Sequence, residues 1–373
     1  MFAKFFGVST LSNGQWSYFT DNFLFATDRV VSFEYTQRFT KVGSFTMVLP
    51  FDTGMLRQMS LNGWIFYDGN WLWIQGISYD GKMITLTGTD AKGVLGTRIS
   101  LFQFNESEPG TQGYDAVSGT TKECIRHYVE VNALLGTCQA GRELPIVAFS
   151  GADGLQNDSY MARLEYLSDI ISTLCEDAGI GYEVTADVSS VGFRLETVCG
   201  TDRSFSQNER PRVIFSPTRR NVRSLTCEHG VENLYNVVYG VDNSEYVAAV
   251  YRDNPGDDIQ LARRECTTSI SEVTTYDPMF DKYVLHQVED NLASHSYSIE
   301  AAVSSGYGTA YELGDIVSVQ DIYTGNMASY RITEATKSYS NGQQSLSLVF
   351  GTQKQKPLQK IVNSFLNGTA RRR

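Results

Sequence analysis

A chain of 373 residues with 42% hydrophobic and 20% charged content is long enough for two or three domains with real cores, which excludes a disordered segment and a mini-protein. Its 31 basic and 42 acidic residues leave a net charge of −11, a balance that excludes a general nucleic-acid clamp, whose phosphate contacts need clustered Lys and Arg. No run of about 18 apolar residues is present, so no membrane-spanning segment is expected, and the opening MFAKFFGVSTL turns polar too soon for a signal peptide.

In chain order, residues 30–50 and 64–89 are rich in aromatic and β-branched residues and are broken by Asn-Gly, Asp-Gly and Gly signals, which predicts hairpins and an all-β first hundred residues. Thr120 with Glu123 forms a capping box for a helix running through about Leu135, with Ile125, Tyr128 and Val129 at helical spacing. A second helix is predicted from about Tyr160 to Ala178, with Leu164, Leu167, Ile170, Ile171 and Leu174 as its buried stripe and Gly179 as its stop. A third is predicted to open at Asp277-Pro278 and to carry Phe280, Tyr283, Val284, Gln287 and Val288 on one side. Strands dominate again from Tyr297.

Comparing the two ends of the chain reveals a repeat. ISYDGKMITLTGT (Ile77 to Thr89) and KSYSNGQQSLSLVFGT (Lys337 to Thr352) both read Ser-Tyr, a Gly turn, an alternating strand, then Gly-Thr. A similar strand precedes each, NGWIFYDG (Asn62 to Gly69) and LGDIVSVQD (Leu313 to Asp321). The fold class expected is therefore α+β, mainly β, with a β-barrel at each end and α/β material between. The boundaries read as residues 1–103 and 213–355 for the two barrels, 104–212 for the α/β part, about 256–307 for a helix-containing insert in the second barrel, and 356–373 for a basic C-terminal tail.

No motif in the chain assigns it a chemistry. There is no GxxxxGK[ST], HExxH, GxSxG or EF-hand loop, and Gly306-Tyr307-Gly308 lacks the third glycine of a dinucleotide site. No cofactor, no metal site and no catalytic residue is assigned. The six cysteines include no CxxC pair and read as reduced thiols; Cys124 with His127 and Cys227 with His229 fall short of the four convergent ligands of a structural zinc. RDNPGDDIQ reads as a solvated turn. Trp64, Phe66, Tyr67, Trp71 and Trp73 offer stacking faces for a sugar, but aromatics in consecutive strands are expected to pack a core or a subunit interface; Trp64, Phe66, Trp71 and Trp73 are the interface candidates. In ELGDIVSVQD, Asp315 reads either as an acid at a pocket lip or as the corner of a strand. Gly314 supplies backbone freedom, no His stands near, and the corner reading is taken for Gly314 and Asp315, with Asp315→Ala expected to cost about 1 kcal/mol.

The ordered set RFTKVGSFTMVLP (Arg38 to Pro50), DGKMITLTGTDAKGVLGTRI (Asp80 to Ile99), TTKECIRHYVEVN (Thr120 to Asn132), YLSDIISTLCEDAGIGYEV (Tyr166 to Val184), NLYNVVYG (Asn233 to Gly240) and YELGDIVSVQD with its closing LSLVFGT resembles the siphophage tail-hub family. These are tail-tip baseplate hub proteins, themselves similar to the hub of contractile phage tails. The resemblance implies a non-enzymatic homotrimer in which each chain contributes two tail-tube-like β-barrels to a six-domain ring. It implies assembly in the bacterial host cytoplasm, a place at the virion tail tip between the tail tube and tip or fibre proteins, and a bore through which DNA passes without tight binding. The basic tail is expected to contact tip or fibre proteins, and with only about twenty residues after the last strand any lytic region is expected on another chain. The alternatives are a β-rich carbohydrate- or receptor-binding module and a cell-wall hydrolase.

Overall fold

Period-two alternation of apolar residues draws the two ends of the chain into strands, and the two longer helices occur between them; the first hundred residues are not all-β as expected, because Asp52 caps a short helix at Thr53–Gln58. The structure, a computed structural model, describes residues 2–101, 115–230, 237–241, 247–252, 263, 265–269, 296–303, 306–320, 325, 327–340 and 342–351. Strands β1 (Ala3–Phe6), β2 (Leu11–Ser12), β3 (Gln15–Trp16), β4 (Phe23–Thr27), β5 (Ser32–Arg38) and β6 (Ser44–Pro50) precede helix α1 (Thr53–Gln58), after which come β7 (Trp64–Tyr67), β8 (Asn70–Tyr79) and β9 (Met83–Asp90). Phe33 and Tyr35 of β5, Met47 and Leu49 of β6, and Ile84 and Leu86 of β9 sit two apart and are all buried in one core, as side chains on one face of a pleated sheet must be.

The central part comprises β10 (Asp115–Thr120), α2 (Thr121–Ala133), β11 (Ile146–Gly151), β12 (Gln156–Ala162), α3 (Leu167–Ala178), β13 (Gly181–Thr185) and β14 (Phe193–Val198). The predicted capping box starts α2: the Thr120 hydroxyl accepts from Glu123 N–H at 3.3 Å, and the Glu123 carboxylate accepts from Thr120 N–H at 2.8 Å. Helix α3 is shorter than its sequence predicts. Tyr160 to Ala162 pair with β10 as the end of β12, and Leu164 is exposed with a φ of 55°, so the helix starts only at Leu167. Leu167, Ile170, Ile171 and Leu174 are buried, and Gly179 ends the helix in the left-handed conformation.

The last part holds β15 (Ile214–Phe215), β16 (Val222–Gly230), β17 (Val237–Val241), β18 (Val247–Arg252), β19 (Glu265–Ser269), β20 (Ser296–Val303), β21 (Ile316–Gln320), β22 (Met327–Ser340) and β23 (Gln343–Gly351). Strands β17 to β19 form a small sheet of their own. The predicted third helix and the RDNPGDDIQ turn past Arg252 lie outside the described residues, as does the C-terminal tail. Strand β20 falls within the range read as an insert, and it pairs with β16 and β23 in the main sheet.

A thirteen-stranded sheet runs β16-β20-β23-β22-β5-β6-β9-β8-β7-β1-β4, with β21 and β15 off this path at β22. One strand order occurs in it twice. In chain order, β5, β6, β7, β8 and β9 are arranged β5-β6-β9-β8-β7, and β16, β20, β21, β22 and β23 are arranged β16-β20-β23-β22-β21, every neighbouring pair antiparallel. Both long hairpins carry a bulge, at Gln75 in β8 and at Thr333 in β22. Matching the hairpins on those bulges sets Ile74 beside Ile332 and Gly88 beside Phe350, so the Gly-Thr string of the sequence repeat is offset by one residue between the units. Among the described residues neither unit closes into a barrel, because the outer edge of β5 pairs with β22 and joins the two units into one open sheet.

Candidate functional site

The residues singled out in the second unit sit where all three parts of the chain meet. Gly314 has a φ of 90° and precedes β21, and a Cβ there would lie 2.1 Å from the Phe39 ring, so both backbone conformation and space demand glycine. Asp315 is 4% exposed. Its Oδ1 accepts from Thr201 N–H at 2.7 Å, and its Oδ2 accepts from Arg203 Nε at 2.8 Å and from Glu312 N–H at 3.0 Å. Both oxygens are committed to donors of the same chain. Beneath them, Arg331 Nη1 donates to Gly314 O at 2.5 Å, and its guanidinium lies 5.0 Å from the centre of the Phe39 ring, while burial lowers its pKa. A Cβ on Gly200 would lie 1.7 Å from Gly314 O, so the segment after β14 presses backbone against backbone here.

The first unit repeats this corner. Asn62, with a φ of 64°, donates its N–H to Ile74 O at 2.8 Å, and Ile74 N–H donates to Gly63 O at 2.9 Å; likewise Gly314 N–H donates to Ile332 O and Ile332 N–H donates to Asp315 O, both at 2.9 Å. Corner and hairpin therefore match as one motif.

The joint between the units is a seven-residue antiparallel ladder from Glu334↔Arg38 to Ser340↔Ser32. Side chains reinforce it: the Thr36 and Thr336 hydroxyls are 3.0 Å apart, and Arg38 Nε donates to Glu334 Oε1 at 3.1 Å. Lys337 Nζ reaches Asp68 Oδ2 at 3.1 Å, and Tyr307, from the Gly-Tyr-Gly turn, donates its hydroxyl to Gln37 Oε1 at 3.0 Å.

The profile of the siphovirus ReqiPepy6 Gp37-like family matches residues 22–255, more than half of the chain. The chain belongs to this family. Among solved structures, the tail protein from Neisseria meningitidis MC58 matches with a TM-score of 0.53 at 15% identity, over 88% of this chain and 93% of that one. The 43 kDa tail protein of prophage MuSo2 from Shewanella oneidensis matches with a TM-score of 0.52 at 12% identity, over 88% and 94%. This Gp37-like chain is thus similar in fold to phage tail proteins. A search of curated proteins finds no match.

In this Gp37-like chain, two of the four interface candidates are deep inside. Trp64 and Trp71 are 3% and 4% exposed; Trp64 packs on Phe193 at 4.6 Å and Trp71 on Phe19 at 4.4 Å, and Trp71 Nε1 donates to Ala186 O at 2.8 Å. These rings bind the first unit to the central part. Phe66 and Trp73 are half-buried at the margin of the same cluster.

The sequence reading missed a buried charged group beside the joint. Lys92, 6% exposed, donates to Arg38 O at 2.6 Å and Lys41 O at 3.4 Å and lies 4.6 Å from the centre of the Tyr182 ring, while Asp90 Oδ2 accepts from Gly43 N–H at 3.0 Å. Burial pushes Asp90 and Glu183 up and Lys92 down. These groups hold the Phe39–Gly43 connection in place. The Asp-Ala-Lys at the end of β9 was the available signal, and charge type alone did not distinguish it from a solvated turn. Of the cysteine-histidine pairs, Cys124 is buried and His127 turns instead to Asp115, with Nε2 to Oδ1 at 2.8 Å; the side chains of Cys227 and His229 are outside the described residues. Among the described residues, no cluster of three or more His, Cys, Asp or Glu is placed to hold a metal, and no helix is long and apolar enough to cross a membrane.

Proposed function

We propose that this Gp37-like chain is a structural, non-enzymatic hub of a long-tailed phage, assembled in the host cytoplasm and seated at the tail tip between the tail tube and tip or fibre proteins. The observation that carries this reading is the five-strand order occurring twice and joined edge to edge through β5 and β22. Two like units per chain let three copies present six to a sixfold tube, each unit acting as one tube-like domain of the ring. The proposed division keeps these units in residues 1–103 and 213–355, the α/β part in 104–212 and a tail in 356–373, with the insert opening near 256 and ending before β20 at Ser296, short of the 307 read from the sequence. The tail, with its basic residues, faces a tip or fibre partner, and Phe66 and Trp73 are the aromatics left for a neighbouring subunit.

Gly314 and Asp315 act here as a structural corner, since the carboxylate that a hydrolase would need is occupied by Thr201, Arg203 and Glu312. The −11 charge fits a conduit that lets DNA pass, because each Lys or Arg lining the bore would add counterion-release affinity and slow the duplex. Negative-stain imaging of the chain, alone and on isolated tail tips, tests the reading: a threefold ring is expected, and a stable dimer or tetramer in the assembled tail overturns it. A mobility-shift assay at low salt is expected to give no tight duplex binding by that ring.

A further inference from the structure

The internal joint specifies how one chain meets the next. In the second unit, β22 offers one edge to two strands in succession. Met327 to Arg331 pair with β21, and Glu334 to Ser340, beyond the bulge, pair with β5 of the first unit. In the first unit, β8 is built alike but half used. Asn70 to Trp73 pair with β7, and beyond the bulge at Gln75 the same edge of Gly76 to Tyr79 has no partner among the described residues. The strand that would fill it, by the repeat, is the counterpart of β5, namely β16. Strand β16 pairs with β20 on one edge only and, among the described residues, has no neighbour on the other. Among the described residues, each chain thus carries one filled copy of the joint and the two unfilled halves of a second.

Resting on the hub reading above, we propose that Gly76 to Tyr79 of one copy pairs antiparallel with β16 of a second copy, repeating the β22·β5 joint between chains. The contact is head to tail, so it propagates around a ring and leaves no sheet edge open at these positions. The repeat also fixes the register. Matching β8 to β22 on their bulges sets Gly76, Ile77, Ser78 and Tyr79 beside Glu334, Ala335, Thr336 and Lys337. Matching β16 to β5 through the strands they pair with sets Gly230, His229, Glu228 and Cys227 beside Arg38, Gln37, Thr36 and Tyr35. Since Thr336 faces Thr36 inside the chain, Ser78 faces Glu228 of a second copy, and Tyr79 faces Cys227 of that copy. The ladder between chains stops at Tyr79, before the β8–β9 turn, and is shorter than the seven pairs within the chain. Tyr79 is 61% exposed and Ser78 is exposed, as residues awaiting a partner strand would be.

Cysteine cross-linking of the full chain tests the register, in a Cys199→Ser background that removes the one cysteine exposed among the described residues. Under mild oxidation at the highest soluble concentration, Ser78→Cys with Glu228→Cys is expected to give covalent dimers and larger species ending in a closed ring on non-reducing gels. Tyr79→Cys, facing the native Cys227, is expected to do the same. Ser78→Cys with the native Cys227 and no cysteine at 228 is expected to stay monomeric, because the register offsets the two positions by one residue. Thr36→Cys with Thr336→Cys provides the reference, closing within one chain without a larger band. If rings are seen by mass photometry but neither test pair links between chains, the edge joint is wrong and the hub reading stands. If the chain neither links nor forms rings, in isolation or on tail tips, both fall.

Discussion

Asp315→Ala removes one carboxylate and strands three donors. Thr201 N–H, Glu312 N–H and Arg203 Nε all end on it within 3.0 Å, and the carboxylate is buried. Hydrogen bonds to a charged group contribute about 1.5–3 kcal/mol each, but the three share one acceptor and do not add. Breaking a buried ion pair by deleting one partner costs about 3–5 kcal/mol. The Arg203 side chain is 24% exposed and regains some water when released, which places the loss near the lower end, about 3 kcal/mol. That exceeds the about 1 kcal/mol expected from the sequence, where Asp315 had one turn hydrogen bond to lose. Asp315→Asn retains an acceptor for Thr201 N–H but turns an amide N–H₂ toward Arg203 and Glu312, and is expected to recover less than half of the loss. Urea unfolding followed by tryptophan fluorescence reads the midpoint, with the slope m checked for constancy between variants. A shift in Asp315→Ala equivalent to less than 1 kcal/mol would refute the argument that this carboxylate ties the second unit to the central part.

Gly314→Ala is expected to cost more than Gly342→Ala in the same urea assay, because both have a positive φ but only Gly314 also meets the Phe39 ring, whereas Gly342 faces open space. The difference should be about 1–3 kcal/mol, the scale of overpacking. Lys92→Met is expected to destabilise by about 1–3 kcal/mol, since it leaves the buried Arg38 and Lys41 carbonyls without their donor; a thermal midpoint equal to that of the unsubstituted chain would refute it. The bond to Asp115 raises the His127 pKa, so its stabilisation is complete below about pH 6.5 and is lost as pH rises through the folded-state value. The stability difference between the unsubstituted chain and His127→Gln should therefore shrink between about pH 6 and 8, and a difference constant across that range would contradict the pairing.

The sequence by itself determined what neighbours in the chain can decide. The α2 start was legible because Thr120 and Glu123 satisfy each other's backbone within one turn, and the α3 end because glycine takes the left-handed conformation at 179 without the Cβ penalty other residues meet. The mainly β character and the likeness of the two ends were legible in period-two alternation, which burial of one sheet face imposes. The start of α3 was not: Tyr160 to Leu167 keep apolar spacing that fits a helix, and only pairing with β10 makes Tyr160 to Ala162 a strand. Trp64 and Trp71 announced a large apolar surface, yet whether another subunit or the central part covers it depends on Phe19 and Phe193, far off in sequence. The decisive feature, β5 laid against β22 some 300 residues away, has no sequence signature. Its affinity comes from backbone groups that every strand carries, and which two edges meet is settled only when the whole sheet is assembled.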